Sequence, residues 1–326
     1  MKKICVYGAG AVGGHVAARL IAAGQAQVSV VARGAHLAAI QARGLTLHSG
    51  PGQITAKPLA ATDDAATLPP QDMVIVGLKA PAQPSAAEAI GRLLAPGGWA
   101  VFLTNGIPWW WRHGLPGQGG TLELLDPDAA LWRHVRPERA LGCIANSSNE
   151  VVEPGMIRHN GANRWTFGEP DGSSSARLAE SVALFRGAGL NAEASADIRR
   201  AVWQKLALNM SGSPISALTR TMSKEFLHDA ELRRMAQALV RETLAVAAAT
   251  GWDVRAEVNV DEITDPVARA GGGRSSMMQD ALAGRRMEAD AIVGQVRALA
   301  REKGVATPVL DVVYPLLCGL DRSSGH

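Results

Sequence analysis

The stretch KICVYGAGAVGG, at residues 3–14, decides the fold of this chain. An apolar strand enters a GxGxxG turn that begins at Gly8, and the turn opens a helix that is predicted to end at Gly24. Such glycines permit a tight turn, let bare backbone approach a pyrophosphate, and allow the helix to pack closely on the sheet. The free N–H groups at the start of the helix attract phosphate. The pattern predicts a dinucleotide site formed by Gly8, Ala9, Gly10, Ala11, Val12 and Gly13.

The residue after the second strand selects between the two nicotinamide dinucleotides. Sites for NAD usually have Asp or Glu there, which accepts hydrogen bonds from the ribose hydroxyls. This chain has Arg33 after the strand at 28–31, and no carboxylate follows before Asp63. A guanidinium can offer a paired, charge-assisted donor fork to a 2′-phosphate. We therefore expect NADP(H), and the alternative is that Arg33 is an ordinary solvated loop residue.

Length and composition indicate a two-domain globular protein. The 326 residues are 47% hydrophobic and 19% charged, and a net charge of +3 is too small to indicate nucleic-acid binding. Cys5, Cys143 and Cys318 have neither metal-ligand nor CxxC spacing and fit buried thiols in a reducing compartment. No apolar run is long enough to span a bilayer. We expect a cytoplasmic protein without a metal site, nucleic-acid partner or membrane contact.

Strands and helices alternate in the first part of the chain, which predicts a doubly wound parallel sheet. Short β-like segments at 141–145, 151–159 and 164–167 are separated by turn residues and are predicted to be antiparallel edge strands. From about residue 196, helical periodicity replaces the strand signals. We therefore predict an α/β protein with a Rossmann-type dinucleotide-binding domain at 1–195 and an all-α substrate domain at 196–326. Helices are expected at 196–210, 223–250, 255–263, 276–283 and 287–303, glycine loops at 114–120 and 271–273, and a frayed tail after residue 319.

Polar residues follow two buried strands, at the edge where open α/β sheets bind ligands. Lys79 follows the strand at 72–77, and Asn105 follows the strand at 99–103. Lys79 is a candidate for the phosphates or ribose of the cofactor, and Asn105 for its nicotinamide end or the substrate. The alternatives are a solvated loop lysine and a simple Asn-Gly turn.

The segment WQKLALN at 203–209 places Lys205 and Asn209 on one helix face. Trp203, Leu206 and Met210 form an apolar stripe on another face. A lysine that is partly desolvated by such neighbours has a lowered pKa and can donate a proton near neutral pH. Taken alone, the pair also fits a solvated helix face.

Ser276 and Glu288 are further candidates with structural alternatives. Ser276 and Gln279 fit a helix capping box, and Glu288 fits the first turn of the next helix. On one straight helix Ser276 and Glu288 would be about 18 Å apart on different faces. They can share a ligand only if Gly284 breaks the helix and the chain folds back.

Together these segments resemble the ketopantoate reductase (2-dehydropantoate 2-reductase) family. The glycine motif is common to many folds, whereas the lysine–asparagine helix and the SSMxQD…E segment are far more specific. The resemblance runs from Lys3 to about Pro308 and rests on GAGAVGG at 8–14, Arg33, LKA at 78–80, Asn105-Gly106, WQKLALN at 203–209 and SSMMQD…GRRMEAD at 275–290.

The resemblance implies NADPH-dependent reduction of a 2-oxo acid to a 2-hydroxy acid, by default ketopantoate to pantoate in pantothenate biosynthesis. The small-molecule substrate would lie between the domains of a monomer or homodimer. Lys205 would polarise and protonate the keto oxygen, and Glu288 would accept a hydrogen bond from a substrate hydroxyl and help set the charge on the lysine. Further implied roles are substrate orientation by Asn105 and Asn209, carboxylate binding by Ser276, and NADPH binding by Gly8, Gly10, Gly13, Arg33 and Lys79.

Two features depart from the family pattern. The sequence IPWWW at 107–111 replaces a small glycine-containing turn, and Ser213 and Ser223 stand where the family often has asparagines. The tryptophans fit either an aromatic wall beside a bulkier substrate or an anchor that packs a loop or a dimer contact. The alternatives are therefore a paralogous reductase of another, bulkier 2-oxo acid or carbonyl compound, and a non-catalytic NADP(H)-binding sensor, which would need neither Lys205 nor Glu288.

Overall fold

The computed structural model describes residues 1–269 and 273–325, which form two compact units. The sheet unit consists of Met1–Thr104 and Trp109–Ile198, and the helical unit of Asn105–Pro108 and Arg199–His326. The sheet unit ends at Ile198, three residues after the boundary expected between 195 and 196. The helical unit also includes Asn105–Pro108 from the first part of the chain. Residues 271 and 272 of the expected glycine loop at 271–273 lie outside the described residues.

The sheet unit is built on one mixed sheet. Five neighbouring strands in the order β2-β1-β6-β7-β8 are parallel, as the alternating pattern predicts. The short edge strands expected at 141–145, 151–159 and 164–167 are instead two long antiparallel strands, β8 and β9. They pair in the expected sense but are not at the edge, because β3 and β4 lie beyond β9. The full order is β4-β3-β9-β8-β7-β6-β1-β2-β5, with β10 beside β9. The strands are β1 Lys2–Tyr7, β2 Ala26–Val31, β3 Leu45–Ser49, β4 Gly52–Ala56, β5 Ala61–Thr62, β6 Gln71–Val76, β7 Leu94–Leu103, β8 Ala140–Glu153, β9 Met156–Gly168 and β10 Asn191–Ala194.

Helix α1 covers this sheet with its apolar face. Val16 and Leu20 are buried, and Gly24 ends the helix in the left-handed conformation with its N–H donating to the Ile21 carbonyl, as the sequence predicts. This Rossmann-type arrangement places the glycine turn at the carboxyl end of β1. The helices of the sheet unit are α1 Ala11–Ala23, α2 Gly34–Arg43, α3 Ala87–Leu93, α4 Ala130–His134 and α5 Ala176–Gly187.

The helical unit buries the apolar stripe predicted on α6. Trp203, Leu206 and Met210 are each at most 1% exposed. Helix α6 itself begins at the last residue of the sheet unit. A π-helical turn, Asp290–Gly294, runs directly into α12. The helices are α6 Ile198–Met210, α7 Ser213–Thr219, α8 Ser223–Phe226, α9 Ala230–Ala249, α10 Val260–Ile263, α11 Ser276–Leu282, α12 Gln295–Lys303 and α13 Pro308–Ser323.

Two of the expected helices and the expected frayed tail are wrong. The helix expected at 223–250 is two helices, because Asp229 accepts hydrogen bonds from two backbone N–H groups and starts α9. The helix expected at 255–263 is only the short α10. The tail expected to fray after residue 319 is the end of α13, which buries Leu310, Val313 and Leu317 on one face.

The three consecutive tryptophans are internal. Trp109, Trp110 and Trp111 are each at most 2% exposed, and Trp109 packs edge-on against Phe102 and Trp132. Their burial fits the packing interpretation, since they leave almost no surface for a dimer contact. Separately, no helix in the described part of the chain is both long and apolar enough to cross a bilayer.

A buried histidine pair joins α1 to β9. His15 is 0% exposed and stacks on His159 with ring centroids 4.5 Å apart. Burial, and then the neighbouring His159 and Arg19, lower the pKa of His15 from 6.5 to about 3. His15 is therefore neutral in the folded chain at pH values where the unfolded chain binds a proton.

We expect acidification to destabilise the protein partly through this histidine. Because the pKa of His15 is lowered on folding, its contribution is complete above pH 6.5 and falls by about 1.4 kcal/mol per pH unit as the pH drops towards 3. His15→Gln should show a shallower loss of melting temperature between pH 7 and pH 4.5 than the wild type. The exposed His228→Gln serves as the control and should retain the wild-type slope. Equal slopes for His15→Gln and the wild type would contradict the assigned pKa.

Candidate functional site

The glycine turn of the sheet unit depends on two close backbone approaches and two backbone hydrogen bonds. Gly8 has φ +93°, and its carbonyl oxygen would lie 2.1 Å from a Cβ at Gly13 and 2.5 Å from a Cβ at Gly77. The N–H groups of Gly8 and Ala9 both donate to the Val31 carbonyl, at 2.9 and 3.1 Å. The turn is therefore fixed to the ends of β1, β2 and β6, and a side chain at Gly13 or Gly77 would displace it. Gly77 was not singled out in the sequence as a packing glycine.

Gly10 differs because it faces open space. No atom lies within 4 Å of the position that its Cβ would occupy, and its φ of −69° is ordinary. Gly10 is also the N-cap of α1 and has no side chain to bond the first N–H groups of that helix. The turn thus combines free donors with room for a group approaching the backbone, which fits the pyrophosphate of a dinucleotide.

His36 supports this turn and was missed in the sequence. Its Nε2 lies 2.7 Å from the Ala9 carbonyl, and its Nδ1 accepts the Gly155 N–H at 3.0 Å. Because Nδ1 is an acceptor, the proton of the neutral ring must be on Nε2, which donates to Ala9. A single histidine in the segment RGAHLAAI at 33–40 gives no sequence signal for such a contact.

Arg33 occupies the N-cap position of α2 in extended conformation, and its side chain is exposed. It forms no ion pair with any residue of 1–269 or 273–325. Although Asp63 is thirty residues further along, β5 pairs with β2 and returns the chain to the end of that strand. A carboxylate is therefore closer to the ribose end of the expected site than the sequence spacing suggests.

Lys79 follows β6 and precedes a short 3₁₀ turn, Ala80–Ala82. The Gln83 amide donates to the Leu78 carbonyl at 3.0 Å and to Thr104 Oγ1 at 2.9 Å. This buried amide ties together the segments that leave β6 and β7, so Lys79 lies at the carboxyl edge of the sheet. Gln83 is a second supporting residue without a sequence signature.

In the helical unit, Asn105 joins Lys205 to Glu288. Lys205 Nζ donates to Asn105 Oδ1 at 2.8 Å, and Asn105 Nδ2 donates to Glu288 Oε2 at 2.9 Å. The amide orientation is fixed chemically, because the ammonium can only donate and must face the amide oxygen, which leaves the amide NH₂ group to donate to the carboxylate. Three candidates that are far apart in the sequence are thus brought into one cluster, with Glu288 only 5% exposed.

The segment that carries Asn105 is held against the π-helical turn. Ile107 N–H donates to the Ala291 carbonyl at 2.9 Å. Gly106 has φ +83°, and a Cβ there would lie 2.3 Å from the same carbonyl oxygen. The Asn-Gly pair is therefore a turn with a packing requirement, and it sets the position of the Asn105 side chain.

Glu288 reaches this cluster because α11 ends before Gly284, which has φ +59°. The break predicted at Gly284 is confirmed. Glu288 is not in the first turn of a helix, however; it precedes the π-helical turn, and its carbonyl accepts the Ile292 N–H at 3.0 Å. The turn is also tied to α13, because the Tyr314 hydroxyl donates to Asp290 Oδ1 at 2.7 Å, and burial followed by this hydrogen bond raises the pKa of Tyr314.

The other two substrate candidates, Asn209 and Ser276, are not among the hydrogen-bond partners of the Asn105 side chain. Asn209 is one turn beyond Lys205 on α6, and its side chain makes no hydrogen bond to the described residues. Ser276 is exposed in the first turn of α11. The capping box expected from Ser276 is wrong, because the hydroxyl of the preceding Ser275 accepts the Met278 N–H and caps the helix. Within the described ranges, no group of three His, Cys, Asp or Glu residues could hold a metal ion.

Both units have close relatives among known proteins. Residues 4–172 match the family Ketopantoate reductase PanE/ApbA, and residues 197–321 match Ketopantoate reductase PanE/ApbA C terminal. A 2-dehydropantoate 2-reductase of Mesorhizobium japonicum is 39% identical over 97% of this chain and 96% of its own length.

Solved structures agree over the same extent. A protein of Ralstonia solanacearum MolK2 that is assigned as a ketopantoate reductase has a TM-score of 0.92 and 39% identity, covering 100% of this chain and 99% of its own. A 2-dehydropantoate 2-reductase of Geobacter metallireducens GS-15 has a TM-score of 0.83 and 28% identity, covering 97% and 98%.

Two glycine variants distinguish folding from dinucleotide binding. Gly13→Ala forces a Cβ against the Gly8 carbonyl, so we expect it to lower the melting temperature of the free protein. Gly10→Ala meets no protein atom, so the free protein should melt like the wild type while NADPH affinity, measured by fluorescence titration, falls at least about tenfold. Wild-type NADPH affinity in Gly10→Ala would show that the pyrophosphate does not approach this glycine.

Proposed function

Because the chain belongs to the ketopantoate reductase family, we propose that it reduces ketopantoate to pantoate with NADPH and that Lys205 is the general acid. It is an NADP-dependent oxidoreductase that acts on CH–OH groups, and its reaction class is the reduction of a 2-oxo acid. The observation that carries the finer proposal is the Lys205–Asn105–Glu288 cluster.

Lys205 supplies the proton in this proposal. An ammonium has three donors, so one N–H can hold Asn105 while another meets the keto oxygen of the substrate. That contact polarises the carbonyl, and proton transfer to the oxygen neutralises the alkoxide as it forms. The lysine then regains its proton from solvent.

Asn105 and Glu288 orient this donor. The amide fixes the direction of the lysine head, and the buried carboxylate fixes the amide. Glu288 also has two carboxylate oxygens, so it can accept a hydrogen bond from a substrate hydroxyl besides the one from Asn105. Asn209, one turn further along α6, is assigned to substrate orientation. Ser276 is assigned to the substrate carboxylate by family analogy.

The glycine turn and its flanking residues are assigned to the cofactor. Gly8, Gly10 and Gly13 shape the turn, and the backbone of Ala9, Ala11 and Val12 completes it. Arg33 is assigned to the 2′-phosphate, and Lys79 to the phosphates or ribose. When bound, NADPH supplies the hydride for the keto carbon.

Two alternative functions receive less support. A bulkier 2-oxo acid substrate was suggested by the three tryptophans, which are buried against other aromatic rings. A non-catalytic sensor has no need for Lys205 held by Asn105 and Glu288. No observation favours either alternative over the reduction of ketopantoate.

The test is NADPH consumption with ketopantoate and a panel of 2-oxo acids, with NADH compared in parallel. We expect ketopantoate and NADPH to give the highest kcat/KM. Lys205→Ala should bind NADPH normally but lose roughly 10²–10⁴-fold in kcat, the usual contribution of general acid catalysis.

Lys224→Ala removes an exposed lysine of the same unit and should leave kcat unchanged. Turnover of Lys205→Ala at the wild-type rate would contradict the role of the lysine. A wild-type protein that binds NADPH but reduces no 2-oxo acid would favour the sensor.

A further inference from the structure

A small cavity in the helical unit contains none of the three clustered residues. Its volume is about 230 Å³, and it is lined by Gly212, Ser213, Ser223, Ala268, Arg269, Gly273 and Ser275. Pockets for drug-sized ligands measure roughly 300–1,000 Å³, so this one suits a single small polar group. Two of its serines, at 213 and 223, are the positions at which the sequence departs from the family pattern.

Arg269 brings a positive charge to this cavity without a counter-ion. It forms no ion pair with residues 1–269 or 273–325, and the adjoining residues 270–272 are Ala-Gly-Gly, which have no acidic side chain. Its Nε is fully buried and has no hydrogen-bond partner in the same ranges, and burial lowers the pKa of the guanidinium. Arg269 as a whole is half-buried, and charges removed from water are normally paired, so this arginine is suited to an anion that arrives as a ligand.

The serines add hydrogen-bond donors around the same space. Ser275 Oγ accepts the Met278 N–H at 3.2 Å, so its own hydrogen remains to be donated. The hydroxyls of Ser213 and Ser223 make no hydrogen bond to the described residues. Ser223 Oγ lies 2.5 Å from the place of a Cβ at Gly212, so only glycine leaves room for this hydroxyl. A guanidinium surrounded by hydroxyl donors is the chemistry that binds a carboxylate.

The cavity continues the face of α6 that carries Lys205. Residues at i, i+4 and i+7 share a helix face, and Lys205, Asn209 and Gly212 have this spacing. Gly212 follows the end of α6 and is about 10 Å along the axis from Lys205. The lining residue Gly212 and Lys205 are therefore about two helical turns apart on one face.

We propose that Arg269, with Ser213, Ser223 and Ser275, binds a carboxylate of the substrate. The inference rests on the proposed function, since it assigns a further specificity residue to the same reaction. The carboxylate is either the one next to the keto group, which Arg269 would then share with Ser276, or a second one at the far end of a 2-oxo diacid. The choice of probe separates the two sources.

The test measures anion binding without turnover. Oxamate, an inert analogue with a carboxylate next to a carbonyl, is titrated by calorimetry into the NADP⁺-bound wild type, Arg269→Gln and Arg269→Lys. We expect Arg269→Gln to bind oxamate roughly 10–100-fold more weakly, the range of a charge-assisted hydrogen-bonded pair, and Arg269→Lys to recover part of the loss. Arg274→Gln removes an exposed arginine five residues away and should bind like the wild type.

A second arm compares KM values for monocarboxylic 2-oxo acids and 2-oxo diacids. A loss in Arg269→Gln that is confined to the diacids assigns the pocket to the far carboxylate, and a loss with oxamate assigns it to the near one. The free Arg269→Gln protein should melt at the wild-type temperature or above, because an unpaired, half-buried charge is removed. Unchanged oxamate affinity and unchanged KM values would overturn the proposal, whereas a wild type that binds oxamate but reduces no 2-oxo acid would overturn only the proposed function.

Discussion

The Asn105 amide between Lys205 and Glu288 is the interaction on which the helical unit's candidate site depends. A side-chain amide can accept from an ammonium and donate to a carboxylate at the same time, with both contacts held in one plane. The observed distances of 2.8 and 2.9 Å satisfy both contacts at once. The amide therefore sets the direction of the lysine head while keeping the buried carboxylate hydrogen-bonded, which a buried charge requires.

Backbone features hold this amide in place. Gly106 lets the segment after β7 approach the π-helical turn, and Ile107 bonds the Ala291 carbonyl of that turn. The break at Gly284 frees Glu288 from α11, and the Tyr314–Asp290 hydrogen bond ties the π-helical turn to α13. π-Helical turns are uncommon and often occur at functional sites, which agrees with this placement. The cluster is thus a product of tertiary packing rather than of one helix face.

The parts that were predictable from sequence are those that depend on local pattern. The glycine turn, the parallel strands and the buried stripe of α6 follow from steric limits and periodicity that neighbouring residues impose. The Asn105 amide contacts Lys205, 100 positions later in the chain, and Glu288, 183 positions later. The family resemblance grouped these residues as candidates, whereas no local sequence pattern links them. The contacts of Asp229, His36 and Gln83 were also missed. A helix cap, or a single side chain that bonds a distant backbone group, leaves no periodic pattern in the sequence.

The most direct test of this account is a double-mutant cycle between Asn105 and Glu288, measured as kcat for the reduction of ketopantoate. If the amide and the carboxylate act on kcat only by directing Lys205, while the contact of Glu288 with a substrate hydroxyl acts on KM, Asn105→Ala and Glu288→Gln each lower kcat at least roughly tenfold. The double variant is then hardly slower than the slower single variant. NADPH affinity should stay at the wild-type value in all three. Fully additive losses in kcat, or single variants that turn over like the wild type, would contradict the proposed bridge.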